Sequence, residues 1–340
     1  MSGERIFSKY QYGIEGVNTH GTIVNATHVL VGADQKPIPD DWKPVFPEDN
    51  LGVRARSSRS IKSELLVEDS ISVARMYFQG LPFFFSCGLK GAVVANAVTL
   101  NSTNYQYIFT PDLDALNNPD SFTLEAGDNQ RAYKMEYGQF KGLKLTGDID
   151  QGGGESPVKI DAPYYARQVA VGNFTSGLSL GVYTGMSAKL SRLFVDTTWA
   201  GVGGTELTDT LRGFDLDLAF GNHPKFFGSP NLTFDDTGEG FVDALLTLTL
   251  EGNANADALY DAQDAQTFQA VRLKVLGPTI GNTNSTHALT VDLYGQWEKV
   301  VPLQGESSGN NLTQALFHAL VDSTLANLIA VTVVTNTNTV

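Results

Sequence analysis

The sequence predicts a mainly β protein of the α+β class, in which one short α-helix covers each twisted sheet. The first observation is the alternation of apolar and polar residues along short runs separated by turn residues. In RGFDLDLAF (212–220), the Phe and Leu residues fall on one side, and Asp215 and Asp217 fall on the other. This pattern is typical of a half-buried strand. The second observation is that few segments have helical spacing.

Residues 1–50 are predicted to form an N-terminal arm. GTIVNATHVLVGA (21–33) has the pattern of one or two strands, whereas ADQKPIPDDWKPVFPEDN (33–50) contains four prolines. Because proline fixes the backbone and lacks an N–H donor, the second stretch is expected to lie extended over other elements.

Residues 51–190 are predicted to form a first domain. VRARSSRSIKSELLVED (53–69) alternates, with Arg54, Arg56 and Lys62 on one face, and is expected to be a strand. The apolar residues of ARMYFQGLPFFFSCGL (74–89) fit a short buried helix better than a strand. The other strand candidates of this block are YQYIFTP (105–111), SFTLEA (121–126), RAYKMEY (131–137), FKGLKLTGDI (140–149) and PVKIDAPYYARQV (157–169).

Residues 191–340 are predicted to form a second domain. NADALYDAQDAQTFQAV (255–271) has the clearest helical pattern of the chain, with an amphipathic face. Both blocks combine strand hairpins with one short helix, which indicates an internal duplication. The strand candidates here are RGFDLDLAF (212–220), VDALLTLTLEG (242–252), VRLKVLGP (271–278), HALTVDLYGQWEKVV (287–301), LFHALVD (316–322) and LIAVTVV (328–334).

The composition limits the possible partners. The 340 residues include 23 Lys and Arg against 37 Asp and Glu, a net charge of −14. This balance argues against binding to nucleic acid or to an anionic membrane, because both need clustered basic residues. The N-terminus has no apolar signal region and no apolar run reaches membrane-helix length, so the chain is expected to start in a cytoplasm. The single cysteine, Cys87, lies in an apolar run and is expected to be a buried thiol.

Short motifs give no catalytic, cofactor-binding or metal-binding residue. Two G-x-S-x-G matches, 177–181 and 305–309, lack the strand-to-helix context of a nucleophile elbow. The stretch 148–152 lacks the acidic positions of a calcium loop, and GVGGT at 201–205 lacks the flanking strand and helix of a dinucleotide site. The histidines are scattered without metal-ligand spacing, and His318 is expected to be a packed, hydrogen-bonded residue. We therefore predict no enzyme activity, no cofactor and no metal.

An ordered series of segments resembles the tail tube proteins (major tail proteins) of bacteriophages with long, non-contractile tails of the siphovirus type. The resemblance covers roughly residues 10–300, while 30–50 and 305–340 match less clearly. The order and spacing of the segments carry the resemblance more than any one of them. They are YQYGIEGVNTHGTIVNAT (10–27), GLPFFFSCGLKG (80–91), YIFTP (107–111), DSFTLEAGDNQRAYKMEYGQFKGLKLTGDI (120–149) and FVDTTWAGVGGTELTDTLRGFDLDL (194–218).

The resemblance implies β-sandwich or barrel-like tube domains, each flanked by a short α-helix and, by the duplication, two per chain. It also implies a structural virion protein that forms stacked rings and a hollow tube for genome ejection. Two tube domains per chain would give a trimeric ring with pseudo-hexameric symmetry, whereas one domain would give a hexamer. The implied partners are further copies of the chain, a tape measure protein, a tail terminator and double-stranded DNA that passes without specific binding; no membrane is involved. The Pro-rich segment 36–50 and the Gly-rich loop 150–155 are candidates for contacts with an adjacent ring. The implied location is the virion tail, assembled in the cytoplasm of a host bacterium.

Two alternatives remain open at this point. The first is another component with a tube fold, such as a tail terminator or a tube protein of a contractile injection machine. The second is a carbohydrate-binding or hydrolytic β-sandwich, which would need clustered aromatic residues beside paired carboxylates. Trp42, Trp199 and Trp297 are far apart in sequence, so this alternative has little support.

Overall fold

A computed structural model of the chain describes residues 8–16, 19–39, 42–49, 52–54, 57–97, 104–128, 130–149, 156–228, 230–281, 285–307, 309–322 and 328–337. The protein is mainly β with few helices, as the sequence predicts. Strands of the first half and its one described α-helix are β1 (Lys9–Glu15), β2 (His28–Val29), β3 (Trp42–Val45), β4 (Ile61–Leu65), β5 (Val67–Val73), α1 (Leu81–Ser86), β6 (Ala92–Ala97), β7 (Tyr105–Thr110), β8 (Ser121–Gly127), β9 (Ala132–Phe140), β10 (Gly142–Asp148), β11 (Lys159–Ala166) and β12 (Val169–Gly172).

The second half continues the pattern with long strands and one more described α-helix. Its elements are β13 (Ser191–Asp196), β14 (Leu211–Ala219), β15 (His223–Lys225), β16 (Asp236–Gly238), β17 (Asp243–Glu251), α2 (Ala254–Asp264), β18 (Gln269–Thr279), β19 (Thr286–Ser307), β20 (Asn310–Ala319) and β21 (Ile329–Thr335). Every strand candidate of the second half is confirmed, as are those at 105–169 in the first half.

The strands form three connected antiparallel sheets. The first sheet has the order β2-β1-β8-β9-β12. The second has the order β5-β11-β10-β14-β17-β20-β19, and the end of β9 joins it through β11. The third has the order β13-β18-β19-β21-β7-β6. Two small hairpins, β3–β4 and β15–β16, stand apart from these sheets.

Strand β19 belongs to two sheets, and Gly295 marks the change of partner. Before this residue β19 pairs with β18 and β21, and after it β19 pairs with β20. A Cβ atom at Gly295 would lie 2.0 Å from the carbonyl oxygen of His318. Glycine therefore allows the backbones of β19 and β20 to approach closely where the second and third sheets separate.

The helix α1 lies at the centre of the hydrophobic core. All six of its residues are buried, and Pro82 occupies the first turn, where a missing N–H has no cost. The Phe83 ring stacks on Tyr12 with centroids 3.8 Å apart and meets Phe122 and Phe140 at 5.1 and 5.2 Å. The predicted buried helix is therefore confirmed, and it packs strands of the first sheet against the rest of the core.

Two sequence predictions are wrong in detail. The helix predicted over 255–271 ends at Asp264, and Gln269 begins β18. The chain turns at Gln266, which has a φ of 51°, and Val271 then pairs with Leu293 in the third sheet. Sheet pairing outweighs helical propensity in this segment.

The strand predicted over 53–69 is the second error. Only Ile61–Leu65 and Val67 onwards form strands, and Ile61 to Glu64 are exposed on both faces. The alternation here does not mark a half-buried strand. Among the described strands, β4 forms a ladder only with β3, and Leu65 adds a single bridge to Thr233. Arg56 lies outside the described residues, as does the Gly-rich loop 150–155.

Strand pairing crosses residue 190, where the sequence places its domain boundary. Strand β10 pairs with β14 over seven residue pairs, and β7 pairs with β21 over five. Strand β1, from the predicted arm, lies inside the first sheet between β2 and β8. The division into 1–50, 51–190 and 191–340 and the internal duplication stay predictions.

Candidate functional site

The second sheet has one apolar and one polar face. The apolar face belongs to the main core and includes Leu145, Phe214, Leu216, Leu246, Leu248 and Phe317. On β14, Phe214, Leu216 and Leu218 are buried, as is Phe220 just after the strand, while Asp215 and Asp217 lie on the opposite side. This confirms the orientation predicted from RGFDLDLAF. We call the opposite side, on β11, β10, β14, β17 and β20, the polar face.

Residues of the polar face form rows across the strands. One row joins Asp161, Lys144, Asp217, Leu245 and His318 through successive register pairs. A second row joins Lys159, Thr146, Asp215, Thr247 and Leu316. Polar and charged side chains dominate both rows, so this side of the sheet is suited to contact with water.

Two basic groups of the polar face, those of Lys144 and Arg212, lie beside carboxylates. Lys144 Nζ lies 2.9 Å from Asp215 Oδ2, and this hydrogen bond is the main cause that raises the pKa of Lys144. Arg212 Nε lies 3.1 Å from Glu251 Oε2. These positive charges are therefore partly neutralised by the chain itself.

His318 also lies on the polar face. Its Nε2 lies 3.0 Å from Asp243 Oδ1, and its Nδ1 lies 3.6 Å from Glu298 Oε2. The predicted hydrogen bonding is confirmed, but the side chain is half-exposed and not packed in the core. His287 is the buried histidine: it stacks on Phe78, and burial lowers its pKa.

The polar face contains an open groove of about 570 Å³. Both charge types and neutral polar groups line it, including Asp148, Lys159, Arg212, Asp215, Thr249 and Gln314. Among the residues that the structure describes, no group of three or more His, Cys, Asp or Glu could hold a metal ion. The groove is an open, polar surface on one side of the sheet and not an enclosed pocket.

The outer edges of the second sheet are partly covered by the chain itself. Gln263 of α2 donates to the carbonyl of Glu298 at 3.3 Å and accepts from the Val300 N–H at 2.9 Å on β19. At the other edge, the Asp34 N–H donates to the Ser72 carbonyl, and Lys36 Nζ donates to the Ser70 carbonyl. Both sets of hydrogen bonds occupy backbone groups at the sheet edges, so fewer of these groups are available to pair with another chain.

Other strand edges pair on one side only within the described part of the chain. Strand β12 pairs with β9 alone, and β6 pairs with β7 alone. Val171 of β12 is exposed. These strands have backbone donors and acceptors that a second chain could extend.

The two G-x-S-x-G matches have no catalytic setting. Ser179 lies in a non-strand segment between β12 and β13, and Ser307 ends β19. Neither lies at a turn from a strand to a helix, which the nucleophile elbow requires. Cys87 is buried, and burial raises the pKa of its thiol well above the ordinary value, so it is a poor nucleophile.

The structure contains a buried Ser–His–Glu contact that the sequence did not predict. His20 Nδ1 lies 2.6 Å from Ser121 Oγ, and Ser121 donates to Glu15 Oε2 at 2.6 Å. Ser121 and Glu15 are both fully buried. Because the serine hydroxyl donates to the carboxylate and has no access to solvent, this cluster is a structural hydrogen-bond network. No sequence signal could have revealed it, since the residues are about a hundred positions apart.

No protein-family model matches the chain, and none of the curated proteins searched matches it. No helix among the described residues is long and apolar enough to cross a membrane.

Proposed function

We propose that the chain is a structural virion protein that self-assembles into stacked rings, forming the hollow tail tube through which a phage genome enters the host cell. Its role is mechanical and not enzymatic, and it works in the tail of the virion after assembly in the bacterial cytoplasm. The ordered series of sequence segments between residues 10 and 300 supports this proposal, together with the mainly β fold.

The polar face is the observation that carries the proposal. A conduit for DNA needs a hydrated wall that does not hold phosphates, and a surface with the same sign of charge as DNA repels it. The polar face has Asp148, Asp161, Asp215, Asp217 and Asp243, and its Lys144 and Arg212 are already beside carboxylates. We therefore assign this face to the lumen.

The strand edges suggest how copies associate. A ring closes when each copy adds strands to the sheet of its neighbour through a head-to-tail contact. Among the described strands, β6 and β12 each form a ladder with one neighbour, whereas Gln263 and Lys36 cover the edges of the second sheet. We propose that neighbouring copies of the chain join through β6 and β12. The expected partners are a tape measure protein and a tail terminator, in addition to further copies in trimeric or hexameric rings.

Negative-stain electron microscopy of the concentrated, purified protein tests the proposal. Long hollow tubes of uniform diameter are the expected result. Isolated rings that do not stack would favour the tail terminator alternative. Particles that stay single at high concentration would contradict self-assembly.

Cysteine labelling tests the assignment of the polar face to the lumen. Cys87 is buried, so the natural chain gives little background. Two variants place an exposed thiol on β14 or on α2: Asp217→Cys and Asp264→Cys. In tubes, a bulky maleimide should react slowly with D217C and rapidly with D264C, whereas both should react rapidly in the dissociated protein. Equal rates in tubes would show that this face is not enclosed.

A further inference from the structure

A basic and apolar ribbon extends from the first half of the chain. We call the described residues 42–49, 52–54 and 57–65, which include β3 and β4, the ribbon. Among the described strands, β3 and β4 form a ladder only with each other. Leu65 at the end of β4 also bridges to Thr233 and donates its N–H to the Leu232 carbonyl at 2.7 Å, which joins the ribbon to the loop of the β15–β16 hairpin. Trp42, Phe46 and Val53 are 41%, 62% and 66% exposed. A two-stranded ribbon with so much exposed apolar surface has little stability alone and is suited to a binding role.

The ribbon is positively charged in a strongly acidic chain. Residues 51–63 contain Arg54, Arg56, Arg59 and Lys62 and no acidic residue. Arg54 is exposed, and the side chain of Arg59 is 65% exposed although it pairs with Asp49. Lys62 Nζ lies 5.3 Å from the centre of the Trp42 ring, so a positive charge and an aromatic surface are presented together.

An acidic and apolar groove lies elsewhere on the molecule. It has a volume of about 560 Å³ between the β7–β8 loop, the segment 239–242 and the residues after β20. Its described lining includes Asp112, Asp114 and Glu239 and no Lys, Arg or His. Exposed apolar side chains surround these carboxylates, and they include Leu116, Val321 and Phe241, which is 97% exposed.

Hydrogen bonds hold the acidic side of the groove in place. Glu239 accepts from the N–H groups of Asn117 and Asn118 at 2.6 and 2.8 Å. Asp112 Oδ1 accepts from the Asp114 and Ala115 N–H groups at 2.8 and 3.0 Å. These donors are backbone N–H groups, so no basic side chain of the described lining pairs with either carboxylate, and the hydrogen bonds fix the shape of the loop. The groove is therefore ready for a cationic partner without rearrangement.

We propose that the ribbon of one copy binds the acidic groove of a second copy of this chain. The ribbon offers Arg54, Lys62 and Trp42, and the groove offers carboxylates beside Phe241, so charge and apolar surface are complementary.

The ribbon and the groove are different surfaces, and they lie at opposite ends of the β15–β16 hairpin. Gly221 and Gly240 pair at its base beside the groove, and Leu232 contacts the ribbon at its tip. Such a contact repeats head to tail and produces rings or filaments. This inference rests on the self-assembly in the proposed function and names the surfaces that meet.

Charge exchange between the two surfaces tests the contact. Self-association of the full chain is measured by analytical ultracentrifugation in Arg54→Glu, in Asp114→Arg and in the variant with both substitutions. Each single variant is expected to associate about tenfold more weakly, because like charges then face each other. The double variant is expected to recover most of the affinity. Arg192→Glu, a charge reversal at a half-exposed arginine of β13, is the matched control and should associate like the wild type.

Three results would overturn the inference, and they separate it from the proposed function. If the wild type forms tubes and both single variants do so with unchanged affinity, the ribbon and groove do not meet, while the tail-tube proposal stands. If the single variants are weak and the double variant is not rescued, the effect is one of general charge and not of a specific pair. A wild type that never associates would contradict both proposals. Circular dichroism of each variant confirms that folding is unchanged, which is expected because both sites are exposed.

Discussion

Replacing Glu15 by glutamine is the sharpest test of the described core. The Glu15 carboxylate is fully buried and accepts four hydrogen bonds. Oε2 accepts from the Gly21 N–H at 2.8 Å and from Ser121 Oγ at 2.6 Å. Oε1 accepts from Thr123 Oγ1 at 2.8 Å and from the Tyr137 N–H at 2.9 Å. Tyr137 has a φ of 53°, so this carboxylate also holds a strained backbone position of β9.

The size of the expected destabilisation depends on which donors lose their hydrogen-bond acceptor when glutamine replaces Glu15. Its Oε1 can still accept from Thr123 and Tyr137, and the Ser121 hydroxyl can rotate to accept from the new amide. The Gly21 N–H, however, would face an NH2 group, and a buried donor without an acceptor costs about 1–3 kcal/mol. Including the loss of the charge on the remaining bonds, we expect Glu15→Gln to lower the free energy of unfolding by about 2–3 kcal/mol.

Urea unfolding followed by circular dichroism measures this change, and hydrogen exchange at the Gly21 and Tyr137 amides localises it. Glu64→Gln, at an exposed position of β4, is the control and should change the free energy of unfolding by less than about 0.5 kcal/mol. If Glu15→Gln unfolds at the same urea concentration as Glu64→Gln, the four-donor site does not exist in solution.

Two further predictions concern other buried positions. Burial opposes ionisation of Glu125, but hydrogen bonds from Lys134 and Thr175 outweigh it and lower the pKa of this carboxyl. Its stabilising effect is therefore present above the unfolded-state pKa and is lost as the pH falls through the folded-state pKa. The difference in free energy of unfolding between wild type and Glu125→Gln should shrink on acidification, and a constant difference would contradict this. Gly295→Ala should destabilise the protein by about 2–3 kcal/mol, because its Cβ would overlap the His318 carbonyl. Gly228→Ala, where nothing lies within 4 Å of the added atom, should have little effect on the thermal midpoint, and equal losses would refute the clash.

The proposals on the polar face and on the ribbon depend on different parts of the sequence. Alternation in RGFDLDLAF already indicated a sheet with one polar side, because the side chains of a strand alternate between its faces. The sequence pattern of the ribbon predicted its structure incorrectly. The alternation over 53–69 predicted a strand throughout, but Ile61 to Glu64 of β4 are exposed on both faces, and these exposed residues form a candidate contact surface instead.

Local sequence patterns were sufficient for most single elements. The strand at 212–220 follows from period-two alternation, and the buried helix at α1 follows from its Leu-Pro start and its consecutive phenylalanines. The end of α2 could not be predicted in this way. The segment after Asp264 has acceptable helical propensity, and its pairing with β13 and β19 makes it a strand.

The sequence by itself determined the mainly β class, the acidic balance of the chain and the two-sided strands, because these depend on composition and on spacing between near neighbours. Only the tertiary structure decided that β10 pairs with β14 and β7 with β21, that Glu15 meets four donors and that Asp112 and Glu239 share one groove. The physical reason is that most of these contacts join residues that are far apart in the chain, from about 65 positions between β10 and β14 to more than 200 between β7 and β21. Their free energy comes from register, burial and hydrogen-bond geometry, which no local pattern of residues specifies.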